Sequence, residues 1–311
     1  MKRFQRKRDT AALNSRLIRR PIQRMVWLFL LPTFAAFCIG FLWPFLQGAF
    51  LSFCKFKLIS QWTWVSFDNY VKAFSDSSFL HAFWFTALFA FVSVLFINTL
   101  AFAVAYALTQ NIKGSNLFRT VFFMPNLIGG IVLGYIWSMI FDGILVKYNT
   151  SVVLESKYGF WGLIILICWQ QVGYMMIIYI AGLQAVPEDM LEAARIDGCN
   201  DFVILIRVMV PVCKPVLLTV SMFYIVGYWN DYFSGMMYVD SAELYPLALI
   251  LRNVIISRTV QVSSAAGTAS STPTEQYSMA MILVSMLPIV VLYPWIQRYF
   301  TTGIMVGAVK E

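Results

Sequence analysis

Glu192-Ala193-Ala194-Arg195-Ile196-Asp197-Gly198 is a charged, small-residue stretch lodged between two long apolar runs, with Pro211 thirteen residues beyond its end. Pro187 suits the first turn of a helix, because its missing N–H would be unsatisfied there anyway. Glu188 and Asp189 follow where the helix dipole favours negative charge. Gly198 is placed to stop the helix by taking the left-handed conformation. The segment predicts a helix of about three turns, too short to cross a bilayer. On it Ala193 and Ala194 would let another surface come close, while Glu192, Arg195 and Asp197 supply polar fixing points around them. The pattern suits a helix held at a membrane face and gripped by a partner. It also suits an ordinary amphipathic connector.

Composition sets the environment of that helix. With 60% hydrophobic and 12% charged residues and a mean hydropathy of +0.72, the 311-residue chain is excluded from the soluble globular class. Its apolar residues gather in runs of the length that crosses hydrocarbon, about 20 residues. Six are expected, near 26–53, 80–109, 117–141, 159–183, 203–228 and 279–300. Positive charge orients them. With both termini in the cytosol, nine Lys/Arg precede the first span and sixteen of the 23 fall on the inner side; the reverse topology would invert the bias. The short charged helix is then cytosolic, in a loop of about 184–202. The net charge of +8 reads as anchoring to anionic inner-leaflet lipid by a basic segment, 1–25, rather than as nucleic-acid binding. The run from Val26 is too long for a removable signal peptide and is read as a retained span. Five cysteines fit no disulfide framework; Cys38, Cys168 and Cys213 fall in apolar runs as small core residues.

The order Glu192-Ala193-Ala194, Asp197-Gly198 and Pro211 resembles the cytoplasmic loop signature of permease subunits of binding-protein-dependent ABC importers. Cys199 and Val210 depart from it where Ala and Leu are common. Phe67-Asp68-Asn69-Tyr70 and the run Phe118 to Asn126 resemble segments of the sugar-importing members. The end, Gly303 to Lys310, resembles the tail of one permease subtype, whereas the half through Phe141 resembles the other. The resemblance implies an all-α integral membrane fold, the transmembrane domain of a type I ABC importer, with six spans (26–311) and a cytoplasmic coupling helix. Glu192, Ala193, Ala194, Arg195, Asp197 and Gly198 would then couple to the ATPase mechanically. The implied partners are a second permease subunit, an ATP-binding subunit dimer, an extracytoplasmic sugar-binding protein and the lipid of a bacterial plasma membrane.

Polar groups at bilayer depth are costly unless they face other helices or water. Asn98 reads as a hydrogen bond to a neighbouring helix. Asn126, after the helix-breaking Pro125, reads as a cavity residue. Gln170 and Tyr174 are four apart on one face, and with Tyr228, Trp229 and Asn230 they make a candidate path for an uncharged carbohydrate. Helix packing, or an aromatic belt for Tyr228 and Trp229, is the competing reading of the same residues. Leu247 to Ile256 is too short to span, and 263–276, rich in Ser, Thr, Ala and Gly, reads as a loop.

No Gly is followed by Lys, so the phosphate-binding loop of nucleotide-driven enzymes is absent; if transport is ATP-driven, as the resemblance implies, ATP with its Mg ion belongs to a partner subunit. One histidine, His81, provides no His-x-x-x-His metal site. The expected function is therefore not enzymatic: the chain translocates a sugar or oligosaccharide handed over by a binding protein. The alternative, an ion-coupled secondary transporter acting alone, would need ionisable groups near the midplane, and the spans are nearly free of Asp, Glu and Lys.

Overall fold

The computed structural model describes residues 28–58, 61–110, 112–148, 156–238, 242–264 and 277–308. The basic segment 1–25 and most of the stretch read as a loop, 265–276, lie outside them. The chain divides into two compact units, Met1–Asn69 and Tyr70–Glu311.

In the first unit, α1 (Leu28–Leu51) is apolar throughout and long enough to cross a membrane. Its ladder widens at Cys38–Leu42, where the Trp43 N–H bonds back to the Cys38 carbonyl. Pro44 explains this, since its ring would strike the carbonyl four residues back and it has no N–H to give. Beyond it lies an antiparallel hairpin, β1 (Cys54–Leu58) with β2 (Gln61–Trp64), in register Cys54↔Trp64 and Phe56↔Trp62. Buried Asn69 ties it down by donating Nδ2 to the carbonyls of Ser52 (2.8 Å) and Cys54 (2.9 Å). Trp62 and Trp64 fold back on Phe50 and Phe53 at 5.1 Å and 5.6 Å.

The second unit follows as α2 (Asp68–Ser75, entering from the first unit), α3 (Ser77–Thr109), α4 (Ser115–Phe123), α5 (Gly130–Leu145), α6 (Ser156–Gln184) and α7 (Glu188–Ile196). It continues through α8 (Asp201–Trp229), α9 (Phe233–Tyr238), α10 (Leu247–Ser264) and α11 (Ser278–Ala308). Asp76 starts α3 by accepting the Ser78 and Phe79 N–H groups, and its other oxygen takes the Tyr277 hydroxyl at 2.7 Å. One stripe of α3, Ala82, Thr86, Ala90, Ile97, Ala101 and Ala105, is buried, and small residues there let α6 approach closely. The opposite stripe, Trp84, Leu88, Phe91 and Leu95, is exposed, as befits a helix whose solvent is lipid. Buried Thr86 accepts the first N–H of α10, from Leu247, at 2.8 Å.

Among the described residues five runs are long and apolar enough to span: Leu28–Leu51, Ser77–Thr109, Gly130–Tyr148, Lys157–Gln184 and Asp201–Trp229. The sixth expected run falls in α11, whose described apolar part, Ser278–Pro294, is shorter. The third span is corrected. Hydropathy is continuous over 117–141, but the chain leaves the helix at Met124–Leu127, a tight turn holding Pro125, and restarts at Gly130. The missing proline N–H and the Gly129-Gly130 pair outweigh apolar continuity. On α8 a second wide turn, Leu205–Met209, precedes Pro211 at the spacing seen before Pro44.

Candidate functional site

The short charged helix forms as α7 with two corrections. Pro187 sits just outside it, at φ −60° and ψ 134°, so Glu188 is the first helical residue. Ala194 is buried against its own chain together with half-buried Leu191, and only Ala193 of the pair is exposed. The end is closed as the sequence demands. Gly198 adopts φ +81°, its N–H bonds to the Arg195 carbonyl at 3.0 Å, and the Cys199 N–H reaches the Ala194 carbonyl at 3.0 Å. This is the paired closure that a left-handed glycine permits. Asn200 then starts α8 by accepting the Val203 N–H at 2.9 Å. Because Leu191 and Ala194 face inward, the other face of α7 presents Asp189, Glu192, Ala193 and Ile196 outward, and Arg195, Asp197 and Gly198 are also exposed. Ile196 is 80% exposed and Phe202, just beyond the turn, 68%. These two were not singled out in the sequence; an apolar residue opposite an inward Leu191/Ala194 stripe is the signal that would have found Ile196.

The second constellation is polar and half-buried. Gln171, at the middle of α6, accepts at Oε1 from Asn126 Nδ2 (3.3 Å) and from the Tyr224 hydroxyl of α8 (2.8 Å). The hub is thus Gln171 and not its neighbour Gln170, which makes no such bond. Asn126 reaches α6 because Gly173 lets the turn at Phe122 and Phe123 lie against its bare Cα; a Cβ there would collide with the Phe122 carbonyl. Tyr228, one turn above Tyr224, is buried with its ring 5.6 Å from that of Tyr224 and 5.9 Å from Phe89. Its hydroxyl has no partner among the described residues. Deeper along α6, Tyr179 donates to Asn98 Oδ1, which bears out Asn98 as an interhelical bond.

The remaining candidates separate from this cluster. Tyr174 stays on the exposed side of α6. Trp229 is a packing residue: it donates Nε1 to the Ser285 carbonyl at 2.9 Å and stands edge-on to Phe83 at 5.3 Å, joining α3, α8 and α11. Asn230 is exposed and returns its amide to the Val226 carbonyl at 2.8 Å, ending its own helix. His81 meets the Glu243 carbonyl at 2.8 Å. No cluster of His, Cys, Asp and Glu suited to a metal occurs among the described residues.

The model of the binding-protein-dependent transport system inner membrane component matches residues 97–306. The chain belongs to that family. It is a membrane permease component of a transport system and not an enzyme, and dependence on a binding protein stands against the self-sufficient ion-coupled alternative. The permease is 36% identical over 205 residues to the probable starch degradation products transport system permease protein AmyD of Thermoanaerobacterium thermosulfurigenes, covering 63% of this chain and 70% of that one. It is 30% identical over 248 residues to protein LplC of Bacillus subtilis, covering 78% of each. It is also 33% identical over 180 residues to the polygalacturonan/rhamnogalacturonan transport system permease protein YtcP of the same organism, covering 56% and 62%. In fold it matches the crystal structure of a bacterial ABC transporter involved in the import of the acidic polysaccharide alginate, with a TM-score of 0.68 at 23% identity over 90% of this chain and 97% of that one.

Proposed function

We propose that this permease is one of two transmembrane subunits of an ATP-driven importer of a sugar or oligosaccharide in the bacterial plasma membrane. Both termini lie in the cytosol, and an extracytoplasmic binding protein delivers the cargo. A dimer of ATP-binding subunits, carrying ATP and Mg, grips α7 through Glu192, Ala193, Arg195, Asp197 and Gly198, with Ile196 at the centre of the contact. Ala194 serves the same coupling from the other side, by seating α7 on the bundle so that motion is transmitted.

The observation that carries this reading is the outward face of α7. An isoleucine 80% exposed on a short helix whose C-terminal end is closed by Gly198 is an apolar anchor with a polar rim, the arrangement of an interface centre. The saccharide names of AmyD and YtcP support the cargo class. A solved alginate importer in complex with a periplasmic protein bound to an alginate pentasaccharide supports the delivery step. The test is a crosslink-stabilised purification of the tagged chain, with ATP hydrolysis assayed on the eluate. A second permease and an ATPase should co-purify, and Ile196→Asp should cut ATPase recovery by at least about tenfold while membrane insertion is kept. Recovery of the chain alone, crosslinked and with α7 intact, would overturn the reading.

A further inference from the structure

A cleft of about 270 Å³ lies between the end of α8, α10 and α11. Trp229 stands 28 positions beyond Asp201, about 42 Å along α8, so the cleft and α7 mark opposite sides of the membrane. Trp229 forms one wall, Ala248 and Leu251 of α10 a second, and Met286 and Ile289 of α11 a third. The donors in the lining are already engaged. The Asn230 amide bonds to the Val226 carbonyl at 2.8 Å, the Ser285 hydroxyl to the Met281 carbonyl at 2.7 Å, and the Trp229 indole N–H to the Ser285 carbonyl at 2.9 Å. A hydrocarbon occupant therefore leaves no donor stranded. The cleft is smaller than the usual site for a whole small ligand, roughly 300–1,000 Å³, and suits a single chain. Val290 both lines it and is exposed, with exposed Leu287 and Val291 beside it, so the cleft opens on an apolar flank of α11.

The rim adds a cation. Ala248, Leu251, Arg252 and Ile255 are spaced three and four apart and share one face of α10, so Arg252 continues the wall that lines the cleft. Its guanidinium stands over the Tyr232 ring, 5.4 Å from the centroid, and Tyr232 is two positions beyond Asn230 of the lining. The acidic neighbour, Asp231, accepts the Ser234 N–H at 3.0 Å at the start of α9, and Arg252 makes no ion pair among the described residues. The charged residues of α10 are Arg252 and Arg258, both basic, and α11 has none before Arg298. A guanidinium resting on an aromatic face still has N–H groups in the geometry that a phosphate takes. A helix of another subunit would also bring apolar side chains, but a phospholipid carries a hydrocarbon chain and a phosphate on one molecule, as the cleft and its rim require. We propose that the α8/α10/α11 cleft is a phospholipid site, holding one acyl chain against Trp229 and Met286 with the phosphate of an anionic headgroup on Arg252.

The experiment uses the permease, purified with the subunits that accompany it, in nanodiscs. The probes are phosphatidylglycerol and phosphatidylcholine, each with a diazirine midway along one acyl chain, and labelled residues are mapped by peptide mass spectrometry. Phosphatidylglycerol should label Met286 and Ile289 saturably, and unlabelled phosphatidylglycerol should displace it at a concentration about tenfold lower than phosphatidylcholine does, the scale of one charge-assisted hydrogen bond. Arg252→Gln should remove that preference while both lipids still label the cleft. Ala248→Trp, which fills the cleft, should lose the label at Met286 and Ile289 and keep it at exposed Leu287 and Val291. Size-exclusion chromatography checks assembly of the variants, and the wild-type competition decides the proposal even where a variant fails to assemble. Labelling of Met286 and Ile289 that is no more saturable than that of Leu287 and Val291 is bulk lipid contact only and overturns the site. An unlabelled cleft, with Ile289→Cys crosslinking to another subunit, assigns the cleft to protein and overturns it too. Equal displacement by the two lipids overturns the role of Arg252. Each of these results leaves the import reading standing.

Discussion

The helix α7 and the cluster around Gln171 are both polar islands in an apolar chain, yet they are held in opposite ways. α7 is fixed by its own ends. Glu188 and Asp189 sit at the positive end of its dipole, Gly198 closes it at φ +81°, and Asn200 opens the next helix. The Gln171 cluster has no local determinants, because it is made by α6, α8 and the turn at Pro125, distant in sequence, meeting at one amide oxygen. A locally fixed element can be offered to a partner as a rigid handle. A tertiary cluster exists only while the bundle is packed, so movement of the helices can remake it.

The largest effect should come from breaking the close approach that assembles the cluster. Gly173→Ala puts a methyl into the Phe122 carbonyl and Phe123 amide, and backbone cannot yield as a flexible side chain can. A cost of about 1–3 kcal/mol is expected, as for overpacking generally, read as a lower melting temperature of the purified complex. Loss of the Asn126–Gln171 bond should accompany it, and an unchanged melting temperature would show that the turn lies elsewhere. Gly198→Val comes next. Nothing lies within 4 Å of a Cβ at that position, so the penalty is conformational alone, about 1–2 kcal/mol for a non-glycine residue in the left-handed region. ATP hydrolysis should then run without uptake while the subunit remains inserted, and Gly198→Asn, which tolerates that region, should restore transport. Wild-type uptake by the Val variant would remove α7 from the coupling path.

The same contrast explains which features were legible in the sequence. The helix α7, its end at Gly198 and its place between two spans follow from short-range chemistry, and the structure has them at the residues named. Which alanine faces inward depends on the bundle, so Ala194 was assigned to the partner side along with Ala193. Gln170 and Gln171 are adjacent amides on a helix apolar all round, where no polar face breaks the tie. A tie-breaker exists in the buried Cys168, Met175 and Tyr179, with which half-buried Gln171 shares a stripe spaced three to four apart. Trp229 is ambiguous in the sequence for a related reason. An aromatic near a helix end serves a membrane interface or a packing joint equally well, and only the Ser285 carbonyl decides. The break in the third span was written in Pro125 and Gly129-Gly130, and hydropathy averaged over it.

The smallest expected effect falls on Asn98, and it tests whether the deeper end of the polar series is structure or path. Asn98 gives its amide to the Val94 carbonyl of its own helix at 2.6 Å and takes the Tyr179 hydroxyl on its oxygen. Asn98→Leu fills similar space and deletes the interhelical bond together with the amide's bond to its own helix. Such bonds inside membrane bundles are worth about 0.6 kcal/mol on average and up to about 1.7, so the melting temperature should fall slightly. Tyr179→Phe alone should cost no more than that, and the double variant no more than the larger single, because either change already removes the shared bond. If the two residues serve only helix packing, cargo uptake by the whole importer should be the same in all three variants. A fall in uptake, with melting unchanged, would put Asn98 and Tyr179 on the cargo's path rather than in the packing alone.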